Sequence, residues 1–204
     1  MGHREFFNVL AEKWDTICHH DRERINRILD LTGVGKGDTV LDVGTGTGIL
    51  IPFLQERIGP TGSIDAVDIA EAMLAVARAR NSGRNVVFIH GDVLKLPLAH
   101  EHYDQIVCYS VFPHFRDKER AVTLLSGNLR QGGRLTVCHS QSREAINRLH
   151  RNSSPVVAGD QLPDLETVIG LFVVAGLEPI SGIDIEGMFV VSGRKPVDCD
   201  EVVS

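Results

Sequence analysis

The stretch Val40-Leu-Asp-Val-Gly-Thr-Gly-Thr-Gly-Ile-Leu50 constrains this chain more than any other. A short apolar run from Thr39 to Val43 carries Asp42 at its end and passes directly into glycines at 44, 46 and 48. Glycine permits positive φ there and brings the backbone within contact distance of a ligand that a Cβ would push away. The helix expected from about Gly48 to Arg57 adds free N–H groups at its start. Such a strand, bend and helix read as the opening unit of a nucleotide-binding α/β sheet, although glycines alone serve several ligands.

The same alternation continues. Strand Ser63 to Val67 ends on Asp68, and the helix Ala70 to Arg80, strand Val86 to His90 and loop Gly91 to His102 follow. Strand Tyr103 to Tyr109, helix Asp117 to Leu129, a Gln-Gly-Gly turn and strand Arg134 to His139 come next. Nearly continuous apolar strands alternating with amphipathic helices imply a parallel sheet covered on both faces, with its ligand outside the carboxyl ends of the strands. The tail differs: a helix from Asp164 to Ala175 leads to strands Glu178 to Ile185 and Met188 to Gly193, joined only by Glu186 and Gly187. So short a connection makes an antiparallel hairpin. The fold class read from this order is α/β, a single doubly wound sheet of seven strands, mostly parallel with an antiparallel C-terminal hairpin. Residues 1–31, with Phe6, Phe7, Leu10, Trp14 and Ile17 at spacings of three and four, read as amphipathic helices needing a partner surface. The whole of 1–204 reads as one domain: N-terminal helices at 1–31, a ligand-binding core at 36–140, a long connection at 141–163, and a helix and hairpin at 164–194.

Composition narrows the function. With 43% hydrophobic and 24% charged residues in 204, the chain is neither disordered nor fibrous, and its formal charge of −6 repels nucleic acid. Cys18, Cys108, Cys138 and Cys199 are widely separated and form no CxxC pair, which suits reduced thiols. The N-terminus is charged within five residues and no apolar run approaches the ~20 residues that span a bilayer, so a cytoplasmic location without a membrane span is expected.

Three details refine the ligand. The third glycine of a pyrophosphate fingerprint would fall at position 49, which is Ile49. Asp42 at the strand end suits a cationic ammonium or sulfonium better than a pyrophosphate. Asp68 follows Gly48 by 20 residues, where a carboxylate can accept both ribose hydroxyls; the alternative is a turn carboxylate capping the helix at Ala70.

With these motifs the chain resembles the class I S-adenosylmethionine-dependent methyltransferases, in particular the small-molecule branch of ubiquinone and menaquinone biosynthesis. The resemblance rests on Val40 to Gly48, Ala66-Val-Asp-Ile-Ala-Glu-Ala-Met-Leu74, Val87-Phe-Ile-His-Gly-Asp-Val-Leu-Lys-Leu-Pro97, Tyr103-Asp-Gln-Ile-Val107 and Leu129-Arg-Gln-Gly-Gly-Arg-Leu135. It implies a Rossmann-like sheet and transfer of a methyl group from S-adenosyl-L-methionine to a small-molecule acceptor, with release of S-adenosylhomocysteine. By that resemblance Gly44, Thr45, Gly46 and Gly48 wrap the methionine moiety, Asp42 holds its ammonium and Asp68 the ribose. Ile69 lies on the adenine, Asp92 with the Val93 amide meets its amino group, and Tyr109 and Ser110 border the methionyl and acceptor region. The other readings are a nicotinamide-dependent oxidoreductase, a non-catalytic S-adenosylmethionine-binding module and a metal-binding module.

Acceptor chemistry is less legible. His114 and His139 follow the fourth and fifth strands and His150 lies in the connection beyond, so with Tyr109 they are candidate catalytic groups, the three histidines as bases, substrate donors, a metal triad or ordinary polar residues. No tight ligand spacing supports a metal site, and none is expected. His19 and His20, adjacent on a helix, point about 100° apart. Arg143, Arg148, His150 and Arg151 could meet an anionic acceptor or form a solvated helix face. Trp14 is either a core aromatic or part of a lid. The oligomeric state is not legible.

Overall fold

The computed structural model describes residues 1–197 except 19, 82 and 84, so Cys199 and His19 lie outside the described residues. Strands β1 (Thr39–Val43), β2 (Ser63–Asp68), β3 (Val86–His90), β4 (Tyr103–Tyr109), β5 (Leu129–His139), β6 (Glu178–Ile185) and β7 (Met188–Arg194) form one sheet in the order β3-β2-β1-β4-β5-β7-β6. The first five are parallel, and β7 inserts antiparallel between β5 and β6. The doubly wound sheet with its antiparallel end is the one read from the sequence.

Helices α1 (His3–Leu10), α2 (Trp14–Ile17), α3 (Arg22–Thr32), α4 (Ile51–Ile58), α5 (Glu71–Arg80), α6 (Lys118–Asn128), α7 (Arg143–Arg151) and α8 (Leu165–Val174) complete the described residues, with 3₁₀ turns at Ala11–Lys13 and Phe112–His114. Local chemistry sets their ends. Asp21 accepts from the Glu23 and Arg24 N–H groups to open α3, which stops where Gly33 takes φ +79°. Asp117 and Asp164 open α6 and α8 in the same way. Each such cap is worth ~1 kcal/mol.

Strand alternation then distributes the core. Leu41, Val43, Ile106 and Val137 pack with Val122 and Leu125 of α6 and Phe172 of α8. Val40, Ala66 and Val107 pack on the other face with Ile25, Ile28 and Leu29 of α3 and Leu54 of α4. β4 is buried along its whole length, as a central parallel strand must be. Cys108 and Cys138 are buried free thiols, and Cys18 is also free. Among the described residues no helix is long and apolar enough to cross a membrane.

Three boundaries differ from the sequence reading. The helix expected from Gly48 starts at Ile51, because Gly48 is held at φ +79° and only beyond it does the first turn, carrying Pro52, become helical. The Gln-Gly-Gly turn is absorbed into β5, where Gly132 (φ +76°) accompanies a register shift opposite Tyr103 and Gln105. The N-terminal helical region divides, with α2 ending at Ile17 and α3 opening at the Asp21 cap.

Candidate active site

β1 has β2 on one side and β4 on the other, so the chain's connections diverge at its carboxyl end and leave a crevice there. Asp42, the glycine bend, Asp68 and Ser110 all lie at this end of the sheet.

The three glycines have different jobs. All take positive φ, at +68°, +56° and +79° for Gly44, Gly46 and Gly48. A Cβ on Gly44 would stand 2.4 Å from a Val111 methyl carbon, and one on Gly48 would stand 3.1 Å from Ala77 Cβ and 2.6 Å from Asn81 Nδ2. These two are packing glycines, allowing the bend to meet the loop after β4 and helix α5. A Cβ on Gly46 would meet nothing nearer than the Gly44 carbonyl at 4.0 Å. Gly46 therefore keeps open the space in front of the bend. Gly44→Ala is expected to lose ~2–4 kcal/mol of stability from the left-handed backbone and the Val111 overlap together. Gly46→Ala should lose ~1–2 kcal/mol from backbone alone. Thermal unfolding of the two variants against wild type checks this order, and equal losses would remove the distinction.

Two carboxylates flank this bend. Asp42 is 1% exposed and accepts from Thr45 Oγ1 at 2.7 Å. Burial pushes its carboxyl up to about 7, opposed by the Thr45 hydroxyl and reinforced by nearby Asp68. Asp68 accepts from the Gly46 N–H and the Ala70 N–H, each at 2.8 Å, so it both fixes the bend and steadies the start of α5. Its carboxyl is raised by burial against those hydrogen bonds. Among the described residues the groups that oppose this rise are the Thr45 hydroxyl on Asp42 and, on Asp68, backbone N–H groups and the His90 ring. A buried acidic pair is an environment that a cationic ligand would relieve. Ile69 is 38% exposed beside it. Asp92 accepts from the Leu94 N–H at 3.1 Å and pairs with Lys95 at 3.2 Å, with Val93 buried next to it.

At the end of β4, Ser110 takes φ +58°, a strained value for a residue with a Cβ, and its N–H donates to the Cys138 carbonyl at 2.9 Å. Tyr109 donates to Ser140 Oγ at 3.0 Å and contacts His20 Nδ1 at 2.9 Å. Burial pushes its phenol up to about 12, so Tyr109 is a hydrogen-bond donor here rather than a base.

Residues 1–20 cross this end of the sheet. Arg4 forms a two-bonded ion pair with Glu71 (2.7 and 2.9 Å), Asn8 accepts from the Ala72 N–H at 2.9 Å, and Asp15 accepts from Thr47 Oγ1 at 2.7 Å while pairing with Arg80. Ala11 packs with Ala70 and Met73, bordered by Phe7 and Trp14, whose rings meet edge to face at 5.5 Å. Trp14 thus belongs to a segment over the glycine bend, not to the sheet core.

The histidines converge beside it. Asp160 Oδ2 lies 2.7 Å from both His3 Nε2 and His114 Nδ1, and its carbonyl lies 2.8 Å from His150 Nδ1. Burial lowers the His114 ring's affinity for a proton, with Asp160 opposing. His139 is fully buried, which drives its pKa down to about 3, and neither ring nitrogen has a hydrogen-bond partner. The sequence placed His114, His139 and His150 at this face but gave no sign of His3 or Asp160, which lie 157 residues apart and carry no motif. The proposed cationic cluster disperses: Arg143 donates to the Leu162 carbonyl at 3.1 Å, and Arg148 lies 3.9 Å from Glu144.

A family profile described as Methyltransferase domain matches residues 40–133. The ubiquinone/menaquinone biosynthesis C-methyltransferase UbiE of Ectopseudomonas oleovorans is 32% identical over 139 residues, covering 64% of this chain and 82% of that protein. UbiE of Pseudomonas entomophila is also 32% identical, over 65% of this chain but 56% of its own length, so the chain spans about half of that relative. Among solved structures, a methyltransferase from Aquifex aeolicus described as SAM-dependent aligns over 92% of this chain and 97% of its own at TM-score 0.72 and 21% identity. Phosphoethanolamine N-methyltransferase 2 of Haemonchus contortus, in complex with S-adenosyl-L-methionine, aligns over 97% of this chain and 60% of its own at TM-score 0.78 and 14% identity.

Proposed function

Because the chain belongs to the class I S-adenosylmethionine-dependent methyltransferases, we propose that it transfers a methyl group from S-adenosyl-L-methionine to a small-molecule acceptor and releases S-adenosylhomocysteine. The observation that carries this reading is the buried pair Asp42 and Asp68 at the glycine bend, both carboxyls raised by burial. The bound cofactor supplies a methyl group on a positively charged sulfur, open to direct displacement. Asp42 would meet the ammonium, Gly46 with Thr45 would line the methionyl path, and Asp68 would accept from the ribose hydroxyls. Ile69 would cover the adenine, with Asp92 and the Val93 amide at its edge. The acidic recess favours this ligand over a nicotinamide dinucleotide, whose pyrophosphate it would repel.

The remaining residues act by placement. With α3 packed into the sheet core, the lid reading narrows to α1 and α2, whose Asp15–Thr47 and Arg4–Glu71 contacts exclude water while the nucleophile lines up with the methyl carbon and sulfur, the main source of rate in such a displacement. Residues 141–163 carry the acceptor side, within a single domain. Tyr109 and Ser110 border the reacting centre, Tyr109 as a donor. His114, His139 and His150 face the acceptor; the low pKa of His139 makes it a poor base at neutral pH. The protein partners of Arg143 and Arg148 favour a solvated helix face over an anionic acceptor.

Trp14 is the single tryptophan, and the reading expects its emission to change on titration with S-adenosylhomocysteine, with label from methyl-labelled S-adenosylmethionine appearing in one compound of a metabolite panel. Binding without turnover across the panel would point to a non-catalytic module. Absence of binding would remove the proposal.

A further inference from the structure

The histidine cluster is the feature that cofactor binding does not use. We propose that His3, His114 and Asp160 form a site for a divalent transition-metal ion at the acceptor end of the cleft, with Zn²⁺ as the natural probe.

Each of the three offers a ligand atom, and these atoms lie within 4.8 Å of one another. His3 Nε2 and His114 Nδ1 already converge on one oxygen of Asp160 at 2.7 Å each. Zn–N and Zn–O bonds of ~2.0–2.2 Å in a tetrahedral shell separate ligand atoms by ~3.3 Å. An ion needs the two contacts to Asp160 to open by ~0.6 Å and the two imidazole nitrogens, within 4.8 Å of each other, to stand ~3.3 Å apart, adjustments that side-chain rotation supplies. Without the ion, imidazole protons occupy the direction the metal would take. Imidazole nitrogen and carboxylate oxygen suit borderline divalent ions, and two histidines with one carboxylate leave a position open, as in catalytic rather than structural zinc sites.

A second observation points the same way. His139 is buried with both ring nitrogens unpartnered, close enough to His114 and His150 for their charges to act on it. A hydrogen-bonded His3–Asp160–His114 brace accounts for the first three residues but not for this orphaned imidazole.

The surroundings hold these groups in place, as outer partners of metal ligands do. The buried Asn147 amide exchanges two hydrogen bonds with the Leu162 backbone, 3.0 Å as donor and 2.7 Å as acceptor, fixing the segment that carries Asp160. His150 clamps the Asp160 carbonyl from α7. Lys118 donates to the Pro113 and Phe115 carbonyls on either side of His114.

Two consequences follow. Because His3 belongs to the segment over the cleft, the ion would clasp that segment to the sheet. The open position would receive an ionisable oxygen or sulfur of the acceptor and lower its pKa; this last role rests on the methyl-transfer reading.

The test is calorimetric titration of chelator-treated, full-length protein with Zn²⁺ alone, with the ligand-field spectrum of the Co²⁺ form as a second readout. One equivalent should bind to wild type. His3→Ala and Asp160→Asn should each weaken binding ~10- to 100-fold or more and change the Co²⁺ spectrum. His3 sits in the first turn of α1, away from the sheet core, so its removal should leave the far-ultraviolet circular dichroism and the cooperative thermal melt in place and thereby report an intact fold. No uptake by wild type, or equal uptake by wild type and both variants, would overturn the site. Zn²⁺ uptake without S-adenosylhomocysteine binding would sink the methyltransferase reading and leave the metal site standing; the opposite result would do the reverse.

Discussion

Asp68→Ala should weaken S-adenosylhomocysteine binding ~100-fold or more while leaving the protein folded. A hydrogen bond to a charged group contributes ~1.5–3 kcal/mol, and the carboxylate is proposed to accept from two ribose hydroxyls. The same side chain orders the binding surface, since Gly46 donates to one of its oxygens and Ala70 to the other. Alanine removes the ligand contacts and frees the bend at once. Stability should change little, because the raised pKa of Asp68 shows that burying its charge is itself unfavourable. Asp68→Asn, which keeps an acceptor, should fall between the two. Calorimetry decides the matter, and an unchanged affinity for the alanine variant would remove the ribose assignment.

The second large effect is on pH. With Asp42 at about 7 in the free protein, a ligand bearing an ammonium must displace a proton from it at lower pH. Affinity should be level above about 7 and fall up to ~10-fold per unit below it, reaching ~100-fold at pH 5. Asp42→Asn should flatten the profile at the weaker level. Stability of the free protein moves the opposite way. Between the ordinary carboxyl value of 3.8 and about 7 the native state holds a proton that the unfolded chain has released, so Asp42 makes the fold less stable as pH rises through that window. Titrations across pH 5–8, with parallel melts, would expose both trends. An affinity independent of pH would mean that Asp42 does not meet the cation.

The cofactor half of this site was legible because local sequence builds it. Asp42 and Gly44 to Gly48 are neighbours in the chain and Asp68 ends a strand, so strand alternation and turn chemistry drew attention to them, whereas Asp92, in the loop after Val86–His90, was singled out only by the family resemblance. The glycine motif did not reveal that Gly44 and Gly48 serve packing, since Val111, Ala77 and Asn81 reach them only through the fold. The acceptor half was less visible for the same reason. Asp160 sits in an irregular connection, and its partner His3 lies at the opposite end of the chain; neither spacing nor periodicity links them. The arginines of α7 left two readings open, because charge counted along a helix does not say which side chains find protein partners.

The N-terminal segment precedes the sheet in sequence, yet His3 closes on Asp160 and His20 on Tyr109, 157 and 89 residues further along. Closing such long intervals costs chain entropy that only a finished sheet can offset. This segment should therefore dock last during folding and detach first under mild denaturant, the lowest rung of the molecule's opening hierarchy. A newly made molecule thus passes through a stage with its framework complete and its mouth still uncovered, when a small nucleoside can enter before the door exists.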